Sequence, residues 1–348
     1  MRVARGLGSI VALVLVGVSL SACAVQPNRL IAGSQATVVT DSEVGVINPG
    51  SARGEAAAML GVDAALYAGF ADLDAHGAWV ADAGFGEVTV VGDSPRTVRY
   101  TVADPVRWSD GTQLDAVDLM LDWAAHSGRW PAFAAAGRAT DTAEVPTVSA
   151  DRKSLTLVEE SASRDPLARF TAPMPAHVVA AEALGIARPE LAKDAVLSAI
   201  DAALAGDAGD LNRLARFWNA GFAATASGEV LVSSGPYLVA DAVPGLVELR
   251  PNPRYAGVHR PAIESVRIAH LAPRDGLQAL SAGEASVLVA TPDEALRELV
   301  PSLGIRLLTV SPSSPLLVAV QRQTVDGLEV AADGRRALWN VADWVPLG

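Results

Sequence analysis

Short segments of alternating polar and apolar residues recur along the chain and predict β-strands. In residues 96–102 the valines and the tyrosine share one face, and the threonines and the second arginine share the other. This two-residue period is typical of a strand with one buried face. The turn-forming residues 92–95 separate it from a similar segment, 87–91, and predict a hairpin. The same reasoning predicts strands over residues 36–40, 154–158, 237–240, 246–250, 265–269 and 286–290.

Apolar residues at helical spacing occupy most of the intervals between these strands. After Thr112, leucines and valines follow at that spacing, and Thr112 with Asp115 fits a capping box that would begin a helix. Two longer helical regions are predicted over residues 55–67 and 178–218, the second interrupted at two glycine-containing sites.

A last helix is predicted between Asp275 and Gly283. Asp275 can cap its start with Gln278 at the reciprocal position, and Gly283 can end it in the left-handed conformation. Strands and helices therefore follow one another in mixed order, which predicts an α/β fold with a buried mixed sheet.

The first 22 residues have the pattern of an export signal. Arg2 and Arg5 precede an uncharged run over residues 6–20, which is short for a bilayer span of about 20 residues. Leu-Ser-Ala-Cys then ends at Cys23 and resembles the bacterial lipobox, whose cysteine receives diacylglycerol and becomes the mature N-terminus. The alternative is that Cys23 is an incidental small residue after an ordinary secretion signal. We expect lipidation at Cys23 and a location on the outer face of the cytoplasmic membrane.

Composition excludes several classes of protein. Half of the residues are hydrophobic and 19% are charged, which is typical of a globular protein with a core. The net charge of −12 becomes −14 without residues 1–22, and an acidic chain lacks the clustered basic surface that a nucleic-acid partner requires. One cysteine allows neither an intrachain disulfide nor a thiolate metal cluster. No hydrolase or phosphate-loop motif occurs, so we predict neither an enzyme nor a cofactor.

One segment carries a specific resemblance. The sequence V-R-W-S-D-G-T-Q-L-D-A-V-D at residues 106–118 resembles the W-S-D-G-x-x-L-x-A-x-D motif of the family 5 extracellular solute-binding proteins. These are the peptide-, dipeptide- and nickel-binding subunits of ABC importers. In physical terms, Thr112 would cap the next helix and Trp108 would close the strand end against it. Asp115 and Asp118 favour the positive start of that helix.

Two further segments occur in the family's order. S-S-G-P-Y at residues 233–237 with R-P-N-P-R-Y at 250–255 resembles the family's G-P-Y…R-N-P-x-Y hairpin, although Pro251 is an extra residue. L-Q-A-L-S-A-G-E at 277–284 resembles the family's L-x-A-L-x-x-G-E. The resemblance extends over nearly all of residues 36–343.

The resemblance implies a class II periplasmic-binding-protein-like fold, in which two lobes close on a ligand at a hinge. Residues 334–343 resemble the helix that opens the second lobe, so most of that lobe is expected to be missing. The chain is thus divided into four parts. Residues 1–22 form a signal peptide and residues 23–35 a lipidated tether. Residues 36–313 form lobe I, with an inserted subdomain at about 66–230, and residues 314–348 form the hinge and the start of lobe II.

Candidate ligand contacts come from two segments at strand ends, where α/β sheets bind ligands. One follows the first strand and the other precedes a later strand, and both offer backbone groups beside small residues. They consist of Glu43, Val44, Gly45 and Val46, and of Ser233, Ser234 and Gly235. An ordinary turn is the alternative for each. The charged groups that hold peptide termini in the family lie in the missing lobe, and none is assigned.

Other clusters have simpler interpretations. Asp72, Asp74 and His76 could line one strand face as metal ligands, but Gly77 follows them and we expect a solvated hairpin and no metal. Four tryptophans are expected to pack in the core and on the lobe surface rather than form a ligand cage. They are Trp79, Trp108, Trp123 and Trp130.

The predicted function is that of a monomeric, lipid-anchored substrate-binding protein of an ABC transporter. Its partners would be a peptide or another small solute, the permease subunits, and the membrane through the lipid anchor, with no nucleic acid. One alternative is an envelope lipoprotein that keeps the fold but acts as a regulator or scaffold. Another is an inactive fragment, since half a cleft cannot close.

Overall fold

The described part of the chain alternates between strands and helices, as an α/β protein should. The computed structural model describes residues 30–54, 62–73, 78–136, 144–159, 165–257, 260–291, 306–309, 317–320, 328–330 and 344–346. The strands are β1 (Ile31–Thr40), β2 (Ala71–Leu73), β3 (Trp79–Ala81), β4 (Gly86–Asp93), β5 (Arg96–Val102), β6 (Thr147–Val148), β7 (Ser154–Val158), β8 (Tyr237–Val243), β9 (Leu246–Pro251), β10 (Ile263–His270), β11 (Val287–Ala290), β12 (Arg306–Thr309), β13 (Leu317–Val320), β14 (Leu328–Val330) and β15 (Trp344–Pro346). The α-helices are α1 (Val62–Leu66), α2 (Ala116–His126), α3 (Ala176–Leu184), α4 (Pro189–Leu204), α5 (Gly209–Ala220) and α6 (Pro273–Ala282).

A seven-stranded sheet has the order β12–β13–β11–β1–β10–β9–β8. Its central strand, β1, runs parallel to β10 and to β11. Because β10 and β11 lie on either side of β1, the connection through α6 crosses over the central strand. The strands at both ends pair antiparallel. The predicted mixed sheet is therefore confirmed.

The central strand is buried on both faces. Val38 belongs to the main hydrophobic core, whereas the next residue, Val39, packs with Leu277 and Leu280 of α6. Successive side chains of a strand point to opposite faces. This double burial explains why Val38, Val39 and Thr40 are buried one after another instead of at every second residue.

A second sheet has the order β4–β5–β7–β6. Val98, Tyr100, Leu155 and Leu157 form its buried face, and each has no exposed surface. This confirms the predicted alternation and the β4–β5 hairpin. The sheet and helices α2–α5 fall within the predicted insertion, whose boundaries, like the division into lobes, stay a prediction.

Two predicted helix starts are wrong, and α6 shows the reason for one of them. Its N-cap is Ala272, so Asp275 lies inside the first turn and does not cap the helix. Pro273 occupies the first helical position, where a missing N–H costs nothing and the fixed φ favours a helix. Gly283 ends the helix in the left-handed conformation at φ 79°, as predicted.

Several predictions lie outside the described residues. These are the signal peptide, Cys23, the first part of the tether, the helical pattern over 334–343, and the residues Asp74 and His76. Of the helix predicted over 55–67, the structure describes only the end, where α1 is helical over Val62–Leu66. The three helices α3–α5 confirm the predicted helical region and both of its interruptions. No helix in the described part of the chain has the length and apolar character that a membrane span requires.

Candidate functional site

The carboxyl ends of the three parallel strands meet at one edge of the central sheet. The Leu271 N–H donates to the Thr40 carbonyl across 3.0 Å, which joins the ends of β1 and β10. The Asp41 N–H donates to the Val289 carbonyl, and the Asp41 carboxylate accepts the Thr291 N–H at 2.6 Å. The chain therefore leaves β1 in a fixed direction toward the first candidate segment.

That first segment, residues 43–46, bends at Val44, where the Gly45 N–H donates to the Glu43 carbonyl at 3.1 Å, and it then has one paired and one open edge at Val46. The Ala224 N–H donates to the Gly45 carbonyl at 3.0 Å, and the Ile47 N–H donates to the Phe222 carbonyl at 2.7 Å. These bonds flank a bridge between Val46 and Ala223. Neighbouring residues of a strand direct their amide groups to opposite edges, so the N–H and C=O of Val46 point away from Ala223.

The open edge at Val46 has no partner within the described part of the chain, where the backbone groups of Val46 form no hydrogen bond. Glu43 is exposed, whereas the Val44 side chain is buried. Unpaired strand edges are templates on which another extended chain can pair. The segment can therefore pair with an extended chain at Val46 while its bonds to Phe222 and Ala224 stay intact.

The second candidate segment, Ser233, Ser234 and Gly235, is buried and fully engaged. The N–H groups of Ser234 and Gly235 both donate to the Leu66 carbonyl, at 3.1 and 2.9 Å. The Ser234 hydroxyl accepts the Ala68 N–H at 3.0 Å.

Two other parts of the chain hold the same turn. The Ser109 N–H donates to the Ser233 carbonyl at 2.7 Å. The Asn252 side-chain amide donates to the carbonyl of Gly235 at 2.9 Å. This turn, residues 233–235, is called the Ser233 turn below. It joins the chain near Leu66, near Ser109 and near Asn252, and it leaves few backbone groups for a ligand.

Tyr67 links the two candidate segments, a connection that no sequence pattern indicated. Its hydroxyl donates to the Ile47 carbonyl at 2.9 Å, directly after the open edge. Its neighbours Leu66 and Ala68 use their backbone groups to form hydrogen bonds with the Ser233 turn. Burial, and next the charge of Asp63, raise the pKa of the Tyr67 hydroxyl, so it stays a donor at neutral pH. Tyr67 therefore contacts the first segment through its side chain, and its neighbours hold the second.

The start of α2 corrects the predicted cap. Asp115, not Thr112, is the N-cap, and its Oδ1 atom accepts the Val117 N–H at 2.9 Å. The Asp118 carboxylate accepts the Asp115 N–H in return, which completes a capping box one turn later than predicted. The Thr112 hydroxyl instead donates to Asp110 at 3.0 Å. The Asp110 carboxylate accepts both the Thr112 N–H and the Thr112 hydroxyl, so the Thr112 side chain belongs to the turn before the helix and does not cap it.

Behind this cap lies a buried cluster of charges. Lys193 Nζ contacts Asp118 Oδ2 at 2.7 Å and Asp115 Oδ1 at 3.0 Å, and it donates to the Gln113 carbonyl. Asp118 also accepts the Ala176 N–H that begins α3. Burial, then the charge of Asp118, raise the pKa of Asp115. The motif therefore joins α2, α3 and α4 and has a structural role.

His177 forms a hydrogen-bonded contact with Asp110 that sequence reasoning missed, since Asp110 lies far away along the chain. Its Nε2 atom lies 2.9 Å from Asp110 Oδ2. Burial raises the pKa of Asp110, but hydrogen bonds from His177 and Thr112 outweigh that effect and hold the pKa at about 2. The predicted core tryptophans Trp108 and Trp123 are buried, and Trp108 packs beside His177. Among the described residues, no group of three or more His, Cys, Asp or Glu side chains is placed to hold a metal.

The model of the bacterial extracellular solute-binding proteins, family 5 Middle, matches residues 81–317. The chain belongs to this family. The match covers the Trp108 motif, the Ser233 turn and the α6 region, the three segments on which the resemblance rested. Members of this family are solute-binding proteins rather than enzymes, and the family is extracellular.

Curated relatives are lipoproteins. An uncharacterized lipoprotein of Mycobacterium leprae (strain TN) is 30% identical over 331 residues, which are 91% of this chain and 57% of the relative. An uncharacterized lipoprotein of Mycobacterium tuberculosis (strain ATCC 25618 / H37Rv) is 29% identical over 84% of this chain and 54% of the relative. This family 5 chain thus spans little more than half the length of the curated relatives it matches.

Solved structures show the same fold. A periplasmic EDTA-binding protein, EppA, superposes with a TM-score of 0.62 at 19% identity, over 81% of this chain and 49% of the other. The OppA of Haemophilus influenzae, in complex with the peptide RPPGFSPFR, superposes with a TM-score of 0.54 at 15% identity, over 80% and 51%. The predicted class II periplasmic-binding-protein fold is confirmed, and this family 5 chain corresponds to about half of each structure.

Proposed function

We propose that this family 5 protein is a lipid-anchored receptor that captures an extended peptide for an ABC importer. The observation that carries the proposal is the open backbone edge at Val46. A peptide that pairs there gains main-chain hydrogen bonds independent of its side chains, the binding mode called β-augmentation. Solved oligopeptide-binding relatives in complex with peptides support this class of ligand.

The remaining parts of the proposal concern location and partners. The relatives are named lipoproteins, which supports diacylglycerol attachment at Cys23 and an extracytoplasmic location. ABC permease subunits are the partners that the family supports. In this arrangement the Ser233 turn does not bind the ligand directly but supports the open edge through Tyr67.

Substitution of Val46 tests the open edge. Val46→Pro removes one backbone N–H that has no internal partner, whereas Val46→Ala keeps that N–H and shortens the side chain more. Calorimetric titration with tri-, tetra- and pentaalanine should show affinity reduced about tenfold in Val46→Pro, the effect of one hydrogen bond. Val46→Ala should bind like the unmodified protein. Equal affinity of all three proteins would contradict ligand pairing at this edge.

The lipid anchor is tested separately. Labelling of cells with a fatty-acid probe should mark the unmodified chain and not Cys23→Ser. Labelling that persists in Cys23→Ser would contradict the anchor. A folded chain that binds none of the peptides, no nickel chelate and no sugar would favour the regulatory or scaffolding alternative.

A further inference from the structure

The first described strand, β1, begins beside Arg260. The Ile31 N–H donates to the Ala262 carbonyl at 2.9 Å, and Ile31 stands opposite Ile263 in the β1–β10 register. Arg260 is exposed and lies two residues before Ala262. Ile31 lies eight positions after Cys23 in the sequence, so it lies at most about 29 Å from that cysteine, at up to about 3.6 Å per residue.

Two further arginines complete a patch with Arg260. The Arg260 guanidinium donates to the Tyr255 carbonyl and lies 5.8 Å from the centre of the Tyr255 ring. Arg254 precedes Tyr255, and its guanidinium carbon lies 3.5 Å from the position that a Cβ on Gly111 would take. Arg107 Nη1 donates to the Gly111 carbonyl at 3.4 Å. We call Arg107, Arg254 and Arg260 the arginine patch.

The patch carries positive charge that the described residues do not neutralise. All three side chains are exposed, and none forms an ion pair within the described part of the chain. The nearby carboxylates are engaged elsewhere: Asp104 pairs with Lys153 at 2.6 Å, and Asp110 with His177. Near the start of β1, the Glu264 carboxylate accepts the Gly33 N–H.

A small pocket beside the patch adds no ligand site of its own. It is lined by Arg107, Tyr255, Gly257 and the buried Asp82, with a volume of about 220 Å³ that includes its open mouth. Its polar groups bond within the chain, as in the 2.8 Å bond from the Gly84 N–H to Asp82. Within the described residues, each guanidinium group of the patch donates to one backbone carbonyl, those of Gly111, Ser109 and Tyr255, and has further N–H groups to offer a partner outside the fold.

We propose that the arginine patch docks on anionic phospholipid headgroups of the membrane that holds Cys23. The inference rests on the proposed anchor, which keeps the patch within reach of a bilayer. Guanidinium groups match phosphate oxygens in a bidentate geometry. Each basic side chain near an anionic surface raises the equilibrium constant between the free and the docked orientation by about fivefold. Three arginines then raise it by about a hundredfold, which is enough to orient an anchored chain whose net charge without residues 1–22 is −14 and which the surface would otherwise repel.

A tethered chain tests the patch without relying on the lipid. A hexahistidine tag replaces residues 1–23, and all described elements, which begin after residue 30, are retained. The tag binds a nickel-chelating lipid in vesicles of phosphatidylcholine, or of phosphatidylcholine and phosphatidylglycerol in equal parts. Hydrogen exchange at residues 107–111 and 254–257 should be slower on the phosphatidylglycerol vesicles, and high salt should abolish the difference. Equal exchange on both vesicles would overturn the proposal.

Matched variants separate charge from structure. Replacement of the three patch arginines by glutamine should abolish the protection, and their replacement by lysine should keep most of it. A control variant carries the same charge change at three other exposed arginines, Arg188, Arg216 and Arg274, and should keep the protection. Equal loss in the control variant, or equal loss in the glutamine and lysine variants, would overturn docking through the patch. Because the tag replaces the anchor, this result stands whatever fatty-acid labelling shows for Cys23.

Discussion

Lys193 places its Nζ atom 2.7 Å from the Asp118 Oδ2 atom, and both side chains are buried. Lys193→Met would leave the Asp118 carboxylate buried without its cation, which destabilises a fold by roughly 3–5 kcal/mol. Urea unfolding should show this loss. Lys153, the only other lysine, is the control, since its pair with Asp104 is exposed. Lys153→Met should leave the midpoint unchanged, and an equal loss in both variants would contradict the role of the buried pair.

The Asp110–His177 pair should make stability depend on pH in the acid range. The pKa of Asp110 is lowered in the folded protein from 3.8 to about 2, so the ionised form stabilises the fold above about pH 4. That contribution is lost as the pH falls toward about 2. The urea midpoint of the unmodified protein should therefore exceed that of Asp110→Asn at neutral pH, and the two should converge in acid. A difference that stays constant with pH would contradict this linkage.

The two glycines of the candidate segments should respond differently to alanine. A Cβ on Gly235 would lie 2.7 Å from the backbone of Leu66 and Tyr67, which is closer than real contacts allow. Gly235→Ala should lower the free energy of unfolding by about 1–3 kcal/mol, the usual cost of overpacking. A Cβ on Gly45 would meet no atom within 4 Å, so Gly45→Ala should unfold at the temperature of the unmodified protein. Thermal unfolding of both variants decides whether the Ser233 turn is packed as described.

Tyr67→Phe should loosen the open edge specifically. The change leaves the Ile47 carbonyl without its donor, at a cost of about 1–3 kcal/mol. Hydrogen exchange at Ile47 and Ala224, whose N–H groups donate across the bridge, should accelerate. Tyr237→Phe is the matched control, because Tyr237 donates a comparable buried bond to Ile263 at 3.1 Å. It should lower stability without changing exchange at Ile47 and Ala224, and acceleration by both variants would contradict a specific link from Tyr67.

The local pattern of the sequence predicted most elements of the fold. Alternation over residues 96–102 identified β5 and its buried face, because a strand with one buried face has apolar residues at every second position. The breaks near Gly185 and at residues 206–209 located the ends of α3 and α4, since glycine ends helices locally. Helix starts were less certain from sequence. Thr112 and Asp115 both have capping side chains, and contacts with Asp110 and Asp118 decided between them.

For the candidate site too, part was predicted from the sequence and part was shown only by the tertiary structure. Sequence alone selected residues 43–46 and 233–235 as strand-end segments, and three short motifs in it indicated the family that the match over residues 81–317 shows. Only the tertiary structure showed that the first segment keeps an open backbone edge while the second is held by Leu66, Ser109 and Asn252. Hydrogen bonds between parts of the chain more than a hundred residues apart leave no periodic trace in the sequence. The elements were therefore determined locally, whereas the availability of each backbone group was decided by the partners that folding brings together.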